Sequence, residues 1–329
     1  MGLLIFSGPI FQIFPGSQPN PFLDMCGMID LENYVQVIPM KIKAILLAVV
    51  MVLTLLPGCS KTENAQVAAT TLPVYQFATM LCQGTGITVT RLVTESVSCL
   101  HDYSLNVSQV RSLESAQVVV ISGAGLEDFM EDLLAGADNV IDSSAGIALL
   151  SCEEDHDDHA GHHHEVDSHI WLSPANAKIM ASNICEGLCA QFPHQADTIR
   201  ANLSGLHRQL DDLQAYGETQ LQTLSTRNLL TFHDGFAYFA QAFGLNILEA
   251  IEEESGSEAS AQELIHLIEL VQSHQLPAIF TEANGSVSAA DVIARETGAT
   301  AFALDMAMAG EDYFAAMYHN IDTIREALG

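Results

Sequence analysis

The sequence predicts an α/β protein of two lobes, in which parallel sheets are flanked by helices and one long helix joins the halves. Predicted strands alternate with helical patterns in both halves of the 329-residue chain, and this alternation is typical of parallel α/β sheets. Between the halves, apolar residues recur at intervals of four, three, four and three, at Ile199, Leu203, Leu206, Leu210 and Leu213. That spacing predicts one continuous amphipathic helix.

The first half shows the alternation over residues 86–137. The segments GITVTRLV (86–93) and AQVVVIS (116–122) are β-branched runs bounded by turn residues, and they predict strands. SLNVSQVRSLES (104–115) lies between them and GAGLEDFMEDLLAGA (123–137) follows them. Both segments have a helical pattern, so we expect a helix after each strand.

The second half repeats the rhythm. Strands are predicted at 227–232, 245–251, 276–283 and 299–305. The helical patterns that follow them cover 234–244, 258–275, 286–299 and 311–328. The sequence therefore predicts an N-terminal lobe at 59–193 with a histidine-rich loop at 153–165, a linking helix at 194–224, and a C-terminal lobe at 225–329.

The charge balance is strongly acidic. The chain has 11 lysines and arginines against 41 aspartates and glutamates, a formal net charge of -30. Such a surface repels nucleic acid and attracts cations, so we expect no nucleic-acid partner.

A targeting signal begins at Met40. Lys41 and Lys43 precede an apolar run at 44–56, which is too short to span a membrane and suits a signal peptide at 40–58. The run ends in LPGC and resembles the lipobox of bacterial lipoproteins, which implies an extracytoplasmic protein anchored to the cell membrane by a lipid on Cys59. The alternative is a plain secretory signal. Residues 1–39 are interpreted as an upstream extension.

Five further cysteines follow the signal, at positions 82, 99, 152, 185 and 189. An exported protein can form disulfides, but the pairing of an odd number cannot be read from sequence. The chain has no CxxC pair, which disfavours a structural zinc site of the cysteine type.

Four metal-capable side chains follow predicted strands or precede a helix. They are His101 in CLHDYSL, His169 in DSHIWLSP, His233 in TFHDGF and Asp305 in FALDMAM. Ligands of parallel sheets bind beyond the carboxyl ends of the strands, so these side chains can converge between the lobes. Three imidazoles and a carboxylate suit zinc. Each residue alone has an ordinary alternative, such as a solvated histidine or, for Asp305, a cap on the following turn.

These segments, together with IFTEANGS and ARETGA, resemble in order the motifs of the solute-binding lipoproteins of zinc and manganese ABC transporters. The resemblance runs from about Thr70 to the C-terminus. It implies two α/β lobes joined by one long helix, with the metal in the cleft. His101, His169 and His233 match the three histidine positions. Asp305 matches the fourth ligand, which is otherwise water.

The resemblance also implies roles for two nearby acids. Glu282 matches an acid beside the site that orients a histidine, and its alternative is a solvated acid at a strand end. Asp234 either supports the metal ligands or caps the following helix. A histidine in place of a glutamate at the third position is similar to the zinc branch, because imidazole is a softer donor than carboxylate.

The histidine-rich loop leads directly into His169. Its histidines stand among acids and small residues, at His156, His159, His162, His163 and His164. We interpret it as an accessory loop that binds zinc weakly near the cleft; the alternative is a solvated insertion. His164 and His169 are one residue too far apart for the HExxH motif of metalloproteases.

The sequence therefore predicts a non-enzymatic zinc-binding protein that delivers Zn²⁺ to an ABC permease and its ATPase. A manganese-specific protein of the same family is the alternative. Two other classes are an exported zinc hydrolase, for which no nucleophile motif such as GxSxG is present, and a storage protein acting through the histidine-rich loop alone.

Overall fold

The computed structural model describes residues 65–95, 100, 103–151, 166–251, 260–283, 288–308 and 310–329. Several predicted features lie outside these ranges, namely the extension at 1–39, the signal peptide at 40–58, Cys59, Cys99, His101, Cys152 and the loop at 153–165.

Strands and helices alternate along the described chain. The strands are β1 (Val67–Ala69), β2 (Val89–Arg91), β3 (Val118–Ile121), β4 (Val140–Asp142), β5 (Asn228–Thr231), β6 (Asn246–Ala250), β7 (Ala278–Glu282) and β8 (Thr300–Leu304). The α-helices are α1 (Leu72–Leu81), α2 (Val107–Ser115), α3 (Glu131–Leu134), α4 (Pro174–Gln191), α5 (Ala196–Gln220), α6 (Ala237–Phe243), α7 (Ala261–Ser273), α8 (Ser288–Thr297) and α9 (Tyr313–Leu328). Short 3₁₀ turns lie at Asp128–Met130 and Ile170–Leu172.

Two four-stranded sheets form, and every strand pair in them is parallel. The first has the order β2-β1-β3-β4 and the second the order β6-β5-β7-β8. The predicted fold class is confirmed. In each sheet the chain reverses its direction of winding between the first and third strands, and the carboxyl ends of these two strands mark the point where α/β sheets bind ligands.

Helix α5 lies between the two sheets in sequence and carries the predicted apolar stripe. Ile199, Leu206, Leu210 and Leu213 are buried in the main hydrophobic core. At Gly217 a Cβ would lie only 2.1 Å from the ring of Phe243, so the absence of a side chain lets α5 approach α6 closely. No helix in the described part of the chain has the length and apolar character needed to cross a membrane.

One helix prediction is wrong. Residues 123–137 form a 3₁₀ turn and the four-residue helix α3 instead of one long helix. The reason lies at Glu127, whose side chain turns back to accept hydrogen bonds from the backbone N–H groups of Ser122 and Gly123. The sequence patterns also do not predict β1 and β4, which are three residues long.

Candidate metal centre

Two predicted metal ligands from opposite halves of the chain, His169 and His233, lie next to each other in the structure. His169 ends the segment between β4 and α4, immediately before the 3₁₀ turn Ile170–Leu172. His233 follows β5 by two residues, at the carboxyl end of the second sheet. His169 is buried and His233 is half-buried. Their rings are perpendicular, with centroids 5.2 Å apart.

The distance between the two imidazoles suits a shared metal ion. The Nε2 atoms of His169 and His233 are 3.4 Å apart. Two nitrogens bound at 2.0–2.1 Å to one tetrahedral ion would be about 3.3–3.4 Å apart. The pair can therefore accept a tetrahedral zinc ion with little rearrangement of either ring.

Asp167 fixes the orientation of His169. Its Oδ1 lies 2.8 Å from both the backbone nitrogen and the Nδ1 of His169, so the Nδ1–H donates to the carboxylate. The lone pair of Nε2 is then left facing His233. A carboxylate that holds the outer nitrogen of an imidazole is the usual support of a metal-binding histidine. The other oxygen of Asp167, Oδ2, is buried with no hydrogen-bond partner among the described residues.

Glu282 has a comparable place beside His233 but a looser contact. It is the last residue of β7 and is buried. Its Oε2 lies 3.8 Å from the Nδ1 of His233, which is too long for a hydrogen bond and close enough for electrostatic attraction. The carboxylate favours a positive charge on or near that imidazole.

Asp305 lies at the end of β8 in a tightly bonded turn. Its Oδ1 accepts the N–H of Ala307 at 2.7 Å. Its backbone N–H and C=O are bonded to the side chain of Asn320, at 2.8 and 2.6 Å. The carboxylate therefore stabilises the following turn, as the ordinary interpretation of Asp305 expects, and the backbone around it is held in place.

The side chain of Met306, the residue after Asp305, borders Gly235, and so do both imidazoles. A Cβ on Gly235 would lie 2.5 Å from Met306 Cε, 2.8 Å from His233 Cδ2 and 3.1 Å from His169 Cδ2. Only glycine leaves room for the three side chains to converge there. The indole N–H of Trp171 donates to the carbonyl of Met306 at 2.7 Å, which ties this segment to the turn that carries His169.

Asp234 lies near the same centre. Helix α6 has Phe236 at its N-cap position without a side-chain cap, so Asp234 does not cap this helix. The residue keeps an exposed surface. Partial desolvation still raises the pKa of its carboxyl, the negative charge of Asp167 adds to the rise, and His169 opposes it.

Of the four predicted ligands, the structure brings His169 and His233 together. His101 lies outside the described residues, and within those residues no three His, Cys, Asp or Glu side chains form a metal-binding group. A metal at the imidazole pair would therefore need a further ligand from His101, from a movement of Asp305, or from water.

Sequence reasoning missed two residues that shape the centre, namely Asp167 and Gly235. The signals were present, since Asp167 stands two residues before His169 and Gly235 two residues after His233. An Asp-x-His spacing lets a carboxylate bond both the backbone and the ring of the histidine, but the pattern is too short to be recognised without a fold.

Comparison with known proteins places this centre in context. The family described as ZnuA, zinc-uptake complex component A, periplasmic, matches residues 67–327. The high-affinity zinc uptake system protein ZnuA of Haemophilus ducreyi is 30% identical over 270 residues, which cover 75% of this chain and 86% of the relative. A solved structure of a ZnuA deletion mutant with zinc bound is 30% identical with a TM-score of 0.68, covering 80% of this chain and 98% of that one.

A longer relative matches as well. The zinc-binding lipoprotein AdcA of Streptococcus pneumoniae is 28% identical over 293 residues, which cover 82% of this chain and 58% of the relative. The chain thus spans less than two thirds of that relative's length.

Proposed function

The chain belongs to the ZnuA family of zinc-uptake components, and we propose that it captures Zn²⁺ between its lobes and delivers it to an ABC permease for import. The observation that carries the proposal is the 3.4 Å separation of the Nε2 atoms of His169 and His233. This family membership favours solute binding in transport over the hydrolase interpretation.

The proposed ligand set is His101, His169, His233 and either Asp305 or water. His101 follows the segment that contains β2, and β2 belongs to the same sheet as β4, after which His169 comes. The imidazole of His101 would add a third nitrogen ligand to those of His169 and His233. Asp305 is the predicted oxygen donor, and the residue that follows it, Met306, borders Gly235 together with both imidazoles.

Zinc is favoured over manganese because the described donors are nitrogens. Imidazole suits zinc, whereas Mn²⁺ prefers carboxylate and water oxygens. His233→Glu should therefore shift the relative preference toward manganese. Competition dialysis of the wild type and the variant against both metals measures that ratio, and an unchanged ratio would mean that geometry sets the selectivity.

The loop at 153–165 is proposed as an accessory zinc-binding segment with no primary ligand. The ends that the structure describes are paired, because Ser151 and Val166 form an antiparallel bridge and the N–H of Asp167 donates to Leu150 C=O at 2.9 Å. Asp167, which stands on this base, accepts hydrogen bonds from the backbone and the ring of His169. Replacing 153–165 by Gly-Gly leaves a three-residue connection across the bridge, a length that hairpins accept.

The cellular setting is proposed from the signal at 40–58 and from family membership. Cys59 would carry the lipid that anchors the protein outside the cell membrane, and the partners would be the permease and its ATPase. A Cys59→Ala variant should be released from the membrane fraction. Continued retention of that variant would show that another segment anchors the chain.

Isothermal titration with Zn²⁺ tests the function. The chain with 153–165 replaced by Gly-Gly should bind one zinc tightly and lose the weak sites of the wild type. Adding His169→Ala to that chain should abolish the tight site, while adding His274→Ala, an exposed histidine at the C-terminal end of α7, should leave it intact. If the loop replacement removes tight binding by itself, the loop supplies primary ligands and the proposal fails.

A further inference from the structure

Two cysteines of helix α4 share one cavity away from the imidazole pair. Cys185 and Cys189 are four residues apart and are 2% and 7% exposed. Both line a cavity of about 500 Å³, together with Ser182, Glu186, Arg200 and Leu203. Arg200 belongs to α5, and its side chain is 63% exposed, so the cavity reaches solvent beside a guanidinium group.

The two thiols lie within hydrogen-bond reach of each other, and neither is in a disulfide. The Cys189 thiol also donates to the carbonyl of Ala196 at 3.6 Å. Cβ atoms four residues apart on a helix are separated by about 5–6 Å, whereas a disulfide needs about 3.5–4.5 Å. A disulfide between them would therefore distort α4. Burial raises the pKa of Cys185 to about 12, and the neighbouring Cys189 adds to the rise. The thiol of Cys185 therefore stays protonated near neutral pH, so ordinary oxidants and weak ligands leave it unchanged.

We propose that Cys185 and Cys189 form a two-thiolate site for a soft monovalent cation of the Cu(I) class. Binding takes one Cu⁺ and two thiols to one [Cu(S-Cys)₂]⁻ unit and two released protons, with no change of oxidation state. At about 2.3 Å per metal–sulfur bond, a linear S–metal–S unit spans about 4.6 Å, which fits the spacing of the two side chains. The guanidinium of Arg200 favours the single negative charge of the complex, and the carboxylate of Glu186, which also lines the cavity, opposes it.

The composition of the cavity argues for Cu(I) against zinc. Zinc takes four ligands, commonly with imidazole among them, and the residues that line this cavity include no imidazole. Thiolate is a soft donor that selects Cu(I), and this ion is satisfied by two ligands. Since α4 begins at Pro174, Cys185 lies roughly 16 Å along the helix axis from its start, and therefore from the turn that carries His169. The two centres can be occupied at the same time.

Anaerobic titration with Cu(I), supplied as a complex with a chromophoric chelator, tests the site in the full chain already loaded with zinc. The wild type should take one more equivalent of Cu(I) than the Cys185→Ser/Cys189→Ser variant, and sulfur-to-metal charge-transfer absorption should be lost with it. Cys82→Ser is the matched control, because Cys82 is equally buried and burial also raises its pKa to about 12, yet it does not line the cavity. That variant should keep the full uptake.

Copper X-ray absorption tests the site in the wild type, so the result does not depend on whether the Cys185→Ser/Cys189→Ser variant folds. We expect two sulfur neighbours in the wild type and in a Cys99→Ser/Cys152→Ser variant. Copper held only by nitrogen, or sulfur neighbours that disappear with Cys99 and Cys152, overturns the proposal. Equal loss of Cu(I) uptake in Cys82→Ser and in the cavity variant also overturns it.

Discussion

The two sheets share one strand order but differ in what stands at the point where the winding reverses. In the N-terminal sheet this point lies between β1 and β3, and in the C-terminal sheet between β5 and β7. Each point holds a buried carboxylate, Glu127 in the first and Glu282 in the second. The partners of the two carboxylates that the structure shows differ, because Glu127 accepts three hydrogen bonds and Glu282 lies beside His233.

Glu127 is enclosed by donors. Its Oε1 accepts from the Thr70 hydroxyl at 2.6 Å and the Ser122 N–H at 2.7 Å, and its Oε2 accepts from the Gly123 N–H at 2.9 Å. These bonds join the ends of β1 and β3. Glu127 therefore links two strands of the first sheet, and both of its carboxyl oxygens accept hydrogen bonds from protein donors.

Glu282 instead faces an imidazole that presents a second nitrogen to the cleft. His233 turns its Nδ1 toward Glu282 and its Nε2 toward His169. The same topology thus yields a structural centre in one lobe and a candidate metal centre in the other. The comparison teaches that the carboxyl ends of parallel strands bring side chains together at one point of the sheet. The hydrogen-bonding character of those side chains then determines whether the point is structural or can bind a ligand.

The largest effect is expected from removing an imidazole. His233→Ala should weaken zinc affinity by more than about 100-fold, because loss of a direct ligand exceeds the 10–100-fold effect of losing a supporting contact. Competition with a chromophoric zinc chelator measures the change. His274→Ala is the exposed control and should bind like the wild type. An affinity within a few-fold of the wild type in His233→Ala would remove this residue from the centre.

Asp167→Asn should have the next largest effect. The amide has the same size as the carboxylate but no charge. Its N–H can donate to the Nδ1 of His169, and the ring proton would then be on Nε2, where the metal needs a lone pair. We expect a loss of about 10–100-fold in zinc affinity. Asp211→Asn, which changes an exposed ion pair with Lys178, is the control. The prediction fails if both variants bind zinc equally well.

Glu282→Gln should reduce zinc affinity less, by under about 10-fold, because the carboxylate and His233 Nδ1 are 3.8 Å apart and not hydrogen-bonded. Glu249→Gln is matched to it, since Glu249 pairs with His266 at 2.8 Å on an exposed surface. The same chelator competition distinguishes them. A loss from Glu282→Gln as large as that from His233→Ala would mean that Glu282 binds the metal directly.

Glu127→Gln should leave zinc affinity unchanged and alter stability instead. Burial raises the pKa of Glu127 from 4.5 to about 7, so the folded protein holds this proton more tightly than the unfolded chain between these values. The contribution of Glu127 to the free energy of unfolding is therefore greatest below pH 4.5 and falls by up to about 3 kcal/mol as pH rises to 7.

Urea unfolding of zinc-free protein between pH 4 and pH 8 measures that contribution. The free-energy difference between the wild type and Glu127→Gln should decrease across this range, whereas Glu131→Gln, an exposed neighbour, should show no such trend. A pH-independent difference would mean that Glu127 has the same pKa in the folded and unfolded states.

The sequence predicts the positions at strand ends better than the contacts made there. Short apolar runs locate β5, β7 and β8, and therefore His233, Glu282 and Asp305, because side-chain period and turn residues are local signals. The role of Glu127 is not local. Its segment has a helical pattern, and the fold overrides this pattern by offering the carboxylate three donors from β1 and β3. Likewise, the meeting of His169 with His233 spans 64 residues.

Zinc X-ray absorption of the Gly-Gly loop-replaced chain, loaded with one equivalent of zinc, tests the central claim most directly. The account predicts three imidazole nitrogens and one oxygen at about 2.0–2.1 Å, and one imidazole fewer in His233→Ala. A first shell that contains sulfur, or one with a single imidazole that is unchanged in His233→Ala, would contradict the assignment of the metal to the cleft between the lobes.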